Sequence, residues 1–554
     1  MSSEEKPGAA LPVHAKDNPN VDAEGAPTKS ALKKAAKEAE KAAKKAAAKE
    51  KEAAQRAAQQ AAADEDKAVD NYGNISKAKE ADAVKLKDLT DEYANKTVTF
   101  FARVENTRSQ SAKLGFLTLR EQGYTIQAVL AAAGDDVSKQ MVKWALQTPV
   151  NSIFRVTGLV KKVDAPIASA TISGLEVAVT RVYEVSRAVD FLPMAVRDAE
   201  KPIPESGIVD PEDKSPPVPM HIRLDNRVID LQADINQAIF TISSAVEVLF
   251  TEYMFKHGSR KFNTPKLVGA ATEGGAGVFA VTNYFGKTAY LAQSPQFYKQ
   301  MLIAADCESV FEIGPVFRAE NSNTHRHLTE FTGLDFEMVF NNHYHEVLSF
   351  GENLIVHILT TLQKEYAREI ATIQRIYPRA GDFRIKDNKA LRLKYADGIA
   401  LLKEAGVDTS EQDRFETDLS TAMEKQLGKI IREKYDTDFY VLDEFPMAVR
   451  PFYTKAHPTD PNLSNSYDFF MRGEEIMSGA QRINEASELE QSMRAKGVDP
   501  NAEGFKDYID AFRQGCRPHA GGGLGLNRIV QFFLGLDNVR QATPFPRDPQ
   551  RLRP

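Results

Sequence analysis

Val316-Phe-Arg318-Ala-Glu320-Asn-Ser-Asn-Thr-His325-Arg326-His327-Leu328-Thr-Glu330-Phe331 reads as strand, polar loop, strand. With Phe331–Phe340 as the return strand, a period of two puts Arg318 and Glu320 on one face, Phe317 and Ala319 on the other. On the return strand Phe331, Asp335 and Glu337 share a face; Leu334, Phe336, Met338 and Phe340 share the opposite, core-facing one. The two polar faces together can floor a site. A fixed guanidinium such as that of Arg318 suits a bidentate grip on phosphate or carboxylate, and Phe331 can carry a purine ring. The loop bearing Arg326 and His327 can cover outer phosphates or the end of a nucleic acid. Taken alone, these residues also fit a surface hairpin with a chance ion pair.

Two further clusters follow. Gly521-Gly-Gly-Leu-Gly525-Leu-Asn527-Arg528 reads as a glycine-rich bend running into a helix that bears Ile529, Phe532 and Phe533. Glycine lets the backbone come close to a ligand, and Arg528 in the first turns of a helix stands where an anion is favoured. The stretch lacks the full G-x-G-x-x-G spacing and the lysine of a P-loop, which disfavours a dinucleotide fold; a plain glycine turn is the alternative. The other cluster runs from Ser466 through Asp468 and Glu474-Glu475 to Ser478 and Arg482. Ser478 and Arg482 share strand parity, and Glu475 needs a local break to join them. Carboxylate and hydroxyl oxygens are what Mg²⁺ takes when it also holds phosphates; a charged turn is the plainer reading.

At 554 residues the chain exceeds one domain of about 100–200 residues. Its net charge of −6 means that any nucleic-acid site must be a local patch. The two cysteines, Cys307 and Cys516, suggest neither a disulfide framework nor a metal cluster; they read as small buried residues in a reducing compartment. No apolar run approaches the roughly 18 residues of a membrane span, and the N-terminus shows no targeting pattern, so a cytoplasmic location without membrane attachment is expected.

Four pieces follow one another. Residues 1–90 form a low-complexity basic extension whose Lys29, Lys33, Lys37, Lys41 and Lys45 line one face of a Lys/Ala-rich helix. It is either a solubilising tail or a basic arm that adds phosphate contacts to RNA. Residues 91–186 alternate as about five short strands with a helix near Trp144, which suits an OB-type barrel. Residues 187–220 are a Pro- and charge-rich linker. Residues 221–554 form an α+β domain with an antiparallel sheet flanked by helices. There Ile239, Ile242, Val246 and Leu249 mark an amphipathic helix, and Lys261-Phe-Asn-Thr-Pro265 an edge strand, together a natural dimer surface.

The three clusters, in this order, resemble the signature motifs of class II aminoacyl-tRNA synthetases. His221-x-Arg-Leu-Asp225, Gln293-Ser-Pro-Gln296-Phe-Tyr-Lys299-Gln300, Phe317–Phe331 and Ser478-Gly-Ala-Gln-Arg482 are similar specifically to aspartyl-tRNA synthetases of the eukaryotic cytosolic type, over roughly residues 70–554. The resemblance implies that L-aspartate and ATP form an aspartyl-adenylate whose aspartyl group passes to tRNA. It implies that Arg318 grips the α-phosphate and substrate carboxylate, that Glu320 and Phe331 hold the adenine, and that Arg326 and Arg528 reach the outer phosphates. His327, Leu328 and Gly525 would complete the ATP site, and Glu475 and Ser478 would hold Mg²⁺. Lys299 and Arg482 would pair with the aspartate side chain, buttressed by Asp335, with Gln296, Ser478 and a mobile Glu273 nearby. In the barrel, Phe116, Arg108, Gln127 and Glu176 would stack on and read anticodon bases, and Pro265 would lie at a homodimer interface.

Two positions depart from the family pattern. Asn527 stands where glutamate usually precedes the last arginine, which removes a carboxylate beside the triphosphate. Ser259-Arg-Lys-Phe262 replaces a more apolar edge run. The rival readings are an asparaginyl- or lysyl-tRNA synthetase and a non-catalytic tRNA-binding paralogue. Two cations, Lys299 and Arg482, favour a carboxylate side chain over an amide or an ammonium.

Overall fold

The structure, a computed structural model, describes residues 33, 36–37, 51, 66–202, 216–270, 277–414 and 416–554. The lysine-periodic extension lies almost wholly outside the described residues, and so does Glu273. The chain divides into two compact units, residues 1–191 and 192–554.

In the first unit the alternating runs become strands β1 (Thr97–Ser111), β2 (Leu114–Glu121) and β3 (Tyr124–Ala131), helix α1 (Lys139–Leu146), and strands β4 (Ile153–Lys162) and β5 (Leu175–Ser186). Antiparallel β3–β2–β1–β4–β5 pairing is closed by a parallel β3–β5 contact, which makes a five-stranded barrel. Val98, Phe100, Val104, Leu117, Ile126, Val156 and Val177 fill its interior. Ser138 caps α1 through Met141 N at 3.0 Å, and the buried Met141, Val142 and Ala145 of α1 join the barrel core.

In the second unit two short helices, Met220–Asp225 and Arg227–Asp230, lead into the long helix α2 (Asp234–Lys256), whose Ile239, Ile242, Val246 and Leu249 are buried. Its 23 residues and mean hydropathy of 1.3 would let it cross a bilayer, but its apolar face packs into the core. Then come β6 (Arg260–Lys261), α3 (Gln296–Ala304), β7 (Ser309–Phe317), β8 (Glu330–Val339) and α4 (His345–Glu365). They are followed by β9 (Leu391–Lys394), α5 (Tyr395–Glu404), α6 (Thr421–Tyr435), β10 (Phe439–Asp443), β11 (Ser466–Met471) and β12 (Glu474–Gln481). The unit closes with α7 (Lys506–Arg513), β13 (His519–Gly525) and α8 (Leu526–Leu534).

Eight strands form one sheet in the order β9-β10-β11-β12-β13-β8-β7-β6. The central pairings are antiparallel, as expected; the outermost pairs, β9–β10 and β7–β6, are parallel. One sheet face carries Leu334, Phe336, Phe469 and Leu524 into a core shared with α2, α4 and α8. The other face of β10 carries Tyr440 and Leu442 into a separate cluster with α5 and α6.

Two sequence expectations are corrected. The glycine run Gly521–Gly525 is not a bend: it is the central strand β13, and none of its glycines has a positive φ. Glycine is needed there for space. A Cβ at Gly521 would lie 2.2 Å from Phe336 O and 2.4 Å from Glu337 Oε2, and one at Gly523 2.9 Å from Asp335 Oδ1. The expected strand through Glu320 ends at Phe317, because the Ala319 amide leaves the ladder to donate to Gly277 O at 2.6 Å.

Candidate active site

A cavity of about 230 Å³ opens over β8, β12 and β13. Gln296, Arg318, Glu320, Arg326, His327, Leu328, Phe331, Asp335, Glu475, Ser478, Arg482, Gly525 and Arg528 all line it. Segments spread from Arg318 to Arg528 thus converge, because β13 is hydrogen-bonded to β12 on one side and to β8 on the other, and β8 in turn to β7.

Three guanidiniums crowd the wall. Arg318 lies past the end of β7, 5.6 Å from the Phe331 ring centre and 4.0 Å from Glu320 Oε1, with its side chain 44% exposed. Arg528, in the first turn of α8, donates weakly to Arg326 O and Glu475 O, each at 3.4 Å. Burial lowers its pKa, Glu475 opposes that, and the charges of Arg326 and Arg318 lower it further. An anion entering here relieves this like-charge crowding. His327 is likewise held below its usual pKa, by burial first and then by Arg528 and Arg326.

A buried ionic network lies at the floor. Lys299 Nζ, 2% exposed, is 2.9 Å from Asp335 Oδ1 and 3.7 Å from Glu337 Oε2. Arg482 donates from Nε to Glu337 Oε1 at 3.0 Å and from Nη2 to Gly521 O at 3.1 Å. Burial pushes the Glu337 carboxyl up, but Arg482 and Lys299 overcome it and hold the group below the usual range. Two cations are therefore already matched by two carboxylates, rather than standing as a bare pair of positive charges. Gln296 donates to Gln300 Oε1 at 3.2 Å and to Glu337 Oε2 at 3.4 Å; Tyr508 of α7 donates to Gln300 at 2.9 Å.

β12 solves the parity problem of Glu475. Its register against β11 shifts between Phe469↔Met477 and Phe470↔Glu475, so Ile476 is an extra residue. This β-bulge turns Glu475 toward the cavity that Ser478 and Arg482 already face.

Asn527 is buried and fully engaged. Its Oδ1 accepts from Thr332 N at 3.1 Å, and its Nδ2 donates to Ala542 O at 3.1 Å and Thr543 Oγ1 at 3.0 Å. It joins β8 to the C-terminal segment.

Several residues were missed in the sequence. Arg450 lines the cavity from a loop, bonds Ser478 Oγ at 3.2 Å and Asp468 Oδ2 at 2.8 Å, and lies 4.0 Å from the Phe445 ring centre. Glu337 shares the site face with Asp335 in the sequence pattern, and the structure shows that it holds Arg482 and neighbours Lys299. Glu424 and Glu474 hold Arg326 from below. Only the parity of Glu337 carried a local signal; the others come from distant loops and helices.

Two sites lie elsewhere. On the barrel, Arg108 sits 4.5 Å over the Phe116 ring, and Gln127 Nε2 bonds Glu176 Oε2 at 3.2 Å. The β1–β2, β2–β3 and β3–β5 pairings bring all four side chains to the outer face. Pro265 follows the two-residue edge strand β6.

Residues 219–549 match the family model described as tRNA synthetases class II (D, K and N). The cytoplasmic aspartate--tRNA ligase of Rattus norvegicus is 49% identical over 497 residues, covering 89% of this chain and 96% of that protein. The aspartyl tRNA synthetase of Entamoeba histolytica superposes with a TM-score of 0.77 at 40% identity, over 87% of this chain and 96% of that one. The asparaginyl-tRNA synthetase of Pyrococcus horikoshii, solved with asparaginyl-adenylate, gives 0.72 at 28% identity, over 86% of this chain and 100% of that one.

Proposed function

This chain belongs to the class II tRNA synthetases of the D, K and N group, and we propose that it is a cytoplasmic aspartate–tRNA ligase. It would activate L-aspartate with ATP and transfer the aspartyl group to tRNA. The carrying observation is the buried Lys299–Asp335–Glu337–Arg482 network under a wall of three arginines. Arg482 spends Nε and Nη2 on Glu337 and Gly521, which leaves Nη1 for a substrate side chain. A carboxylate offers two acceptors there, whereas an amide sets its own NH₂ against the cations.

In the first step an aspartate α-carboxylate oxygen attacks the α-phosphorus of ATP. The bond to the β-phosphate bridging oxygen breaks and pyrophosphate leaves. Arg318 would hold the α-phosphate and carboxylate in line, Phe331 and Glu320 the adenine, and Arg326 and Arg528 the outer phosphates, with His327, Leu328 and Gly525 closing the nucleotide's surroundings. Gln296 and Ser478 would add contacts to the amino acid, and Glu273 one to its amino group. Positioning and charge neutralisation supply most of the acceleration. In the second step a ribose hydroxyl at the tRNA 3′ end attacks the carbonyl carbon and AMP leaves.

The donor set fits Mg²⁺. The Glu475 carboxylate makes no hydrogen bond or close salt bridge among the described residues, although it faces the charges of Arg528 and Arg450, and Ser478 Oγ in the same cavity keeps acceptor capacity. No group of three or more acidic, His or Cys residues among the described ones makes a protein-only metal cage, as suits an ion held jointly with phosphates. Bound there, Mg²⁺ would neutralise phosphate charge. Phe116, Arg108, Gln127 and Glu176 would stack on and read anticodon bases. The edge at β6 and Pro265, beside α2, would pair two copies as a homodimer.

Amino-acid-dependent ATP–pyrophosphate exchange tests the reading. Exchange should require aspartate; a preference for asparagine would overturn the specificity, and no exchange with any amino acid would overturn the enzyme.

A further inference from the structure

Arg326 is held from an unexpected side. Its Nη1 donates to Glu424 Oε2 at 2.6 Å and to Glu474 Oε2 at 3.0 Å, and its Nη2 donates to Thr421 Oγ1 at 2.8 Å. Glu474 opens β12, but Thr421 and Glu424 belong to α6, whose apolar face packs in the separate cluster around Tyr440 and Leu442. Glu474 is shared: its Oε1 lies 3.1 Å from both His325 Nε2 and Lys425 Nζ.

A guanidinium has five N–H groups in a fixed plane. Three of those on Arg326 are taken, all by α6 and β12. Among the described residues the Nε–H and the second Nη2–H have no protein acceptor, and Arg326 lines the cavity. A long side chain that would otherwise sample many rotamers is thus fixed before any ligand arrives, with donors to spare for one.

We propose that Glu424 is a positioning residue for ATP: with Glu474 and Thr421 it fixes the Arg326 guanidinium so that the two unspent N–H groups grip the outer phosphates. The inference rests on Arg326 being an outer-phosphate ligand, and it gives α6, outside every motif read from the sequence, a part in nucleotide binding. Carboxylates behind the arginine do not cancel its use, because both bind Nη1, which leaves the Nε–H and one Nη2–H unspent. They set the plane of the guanidinium, and a bidentate phosphate grip depends on that plane.

Exchange kinetics on the full-length chain provide the test. Glu424→Gln should raise KM for ATP roughly tenfold, in line with loss of a charge-assisted hydrogen bond, and leave KM for aspartate unchanged. Competitive inhibition by AMP, which has no outer phosphates, should stay at the parental value. Glu424→Asp should recover part of the loss, and Thr421→Ala, a milder change, should move KM for ATP in the same direction. Parental or lowered KM for ATP in Glu424→Gln overturns the proposal, since the contact would then be inert or a clasp that ATP must open. Equal weakening of AMP and ATP also overturns it, because that marks general damage. Arg326→Ala is measured alongside. If it leaves KM for ATP unchanged, the phosphate role of Arg326 fails; if it raises KM and Glu424→Gln does not, only the positioning role of Glu424 fails.

Discussion

Gly521 and Glu337 are paired across β13 and β8, and the Glu337 carboxylate fills the space where a side chain at Gly521 would stand. The same carboxylate anchors Arg482 and neighbours Lys299. The absence of one methyl group in a central strand therefore makes room for the charge that holds the cavity-lining Arg482.

Gly521→Ala should raise KM for aspartate more than KM for ATP and cost about 1–3 kcal/mol of stability through overpacking. Urea unfolding and exchange kinetics together measure this. A parental KM for aspartate in the variant would show that Glu337 does not set the arginine.

Arg318→Lys keeps the charge beside Phe331 but loses the planar two-pronged donor. The exchange rate should fall on the order of 10²-fold or more, as when a transition-state donor is lost. Binding of an anticodon stem-loop should not change. Near-parental exchange would remove Arg318 from the centre of the chemistry.

Asn527→Asp tests the departure from the family pattern. The Oδ1 contact to Thr332 N survives, but an oxygen replaces the Nδ2 that donates to Ala542 O and Thr543 Oγ1. Buried oxygen would face carbonyl oxygen, costing about 1–3 kcal/mol. Calorimetry should show a lower Tm at neutral pH; an unchanged Tm would mean that the carbonyl finds another donor.

Glu424 links stability to pH. Burial pushes its carboxyl up to about 7, Arg326 pulls it down, and Glu475 and Glu474 push it up. Lys425 and His325 face the same group through Glu474, and Tyr440 lies beneath it. Its folded pKa exceeds the ordinary 4.5, so ionisation costs the folded state. This group's contribution is least unfavourable below the ordinary pKa, worsens as pH rises through the interval, and is fully adverse above about 7. The Tm of Glu424→Gln minus that of the parent should therefore grow from pH 4.5 to pH 8. A difference that stays flat or shrinks would contradict the raised pKa.

Much of the fold was legible because it is written in alternation. The barrel strands around Phe100, Leu117 and Ile126, and the core face Leu334–Phe336, show a clear period of two. β13 was misread because four of its seven residues are glycine and present no alternating side chains. Arg318, Phe331 and Asp335 could be grouped because they belong to one hairpin. Glu424 could not be linked to Arg326, 98 positions earlier, since only the packing of α6 beside β12 joins them. Arg450 was hidden for the same reason. Its loop meets Ser478 through tertiary contact, and a lone arginine in a loop carries no period.

The extra residue at Ile476 has a consequence for anyone rebuilding this pocket. On a perfectly regular strand, Glu475 and Arg482 point to opposite sides of the sheet, so a graft of this hairpin onto an idealised scaffold would deliver one and lose the other. Straightening the bulge with Ile476 kept would leave every cavity-lining side chain in the chain while turning part of the strand inside out. In this hairpin an irregularity of backbone count is as much an active-site component as any of the charged groups it aligns.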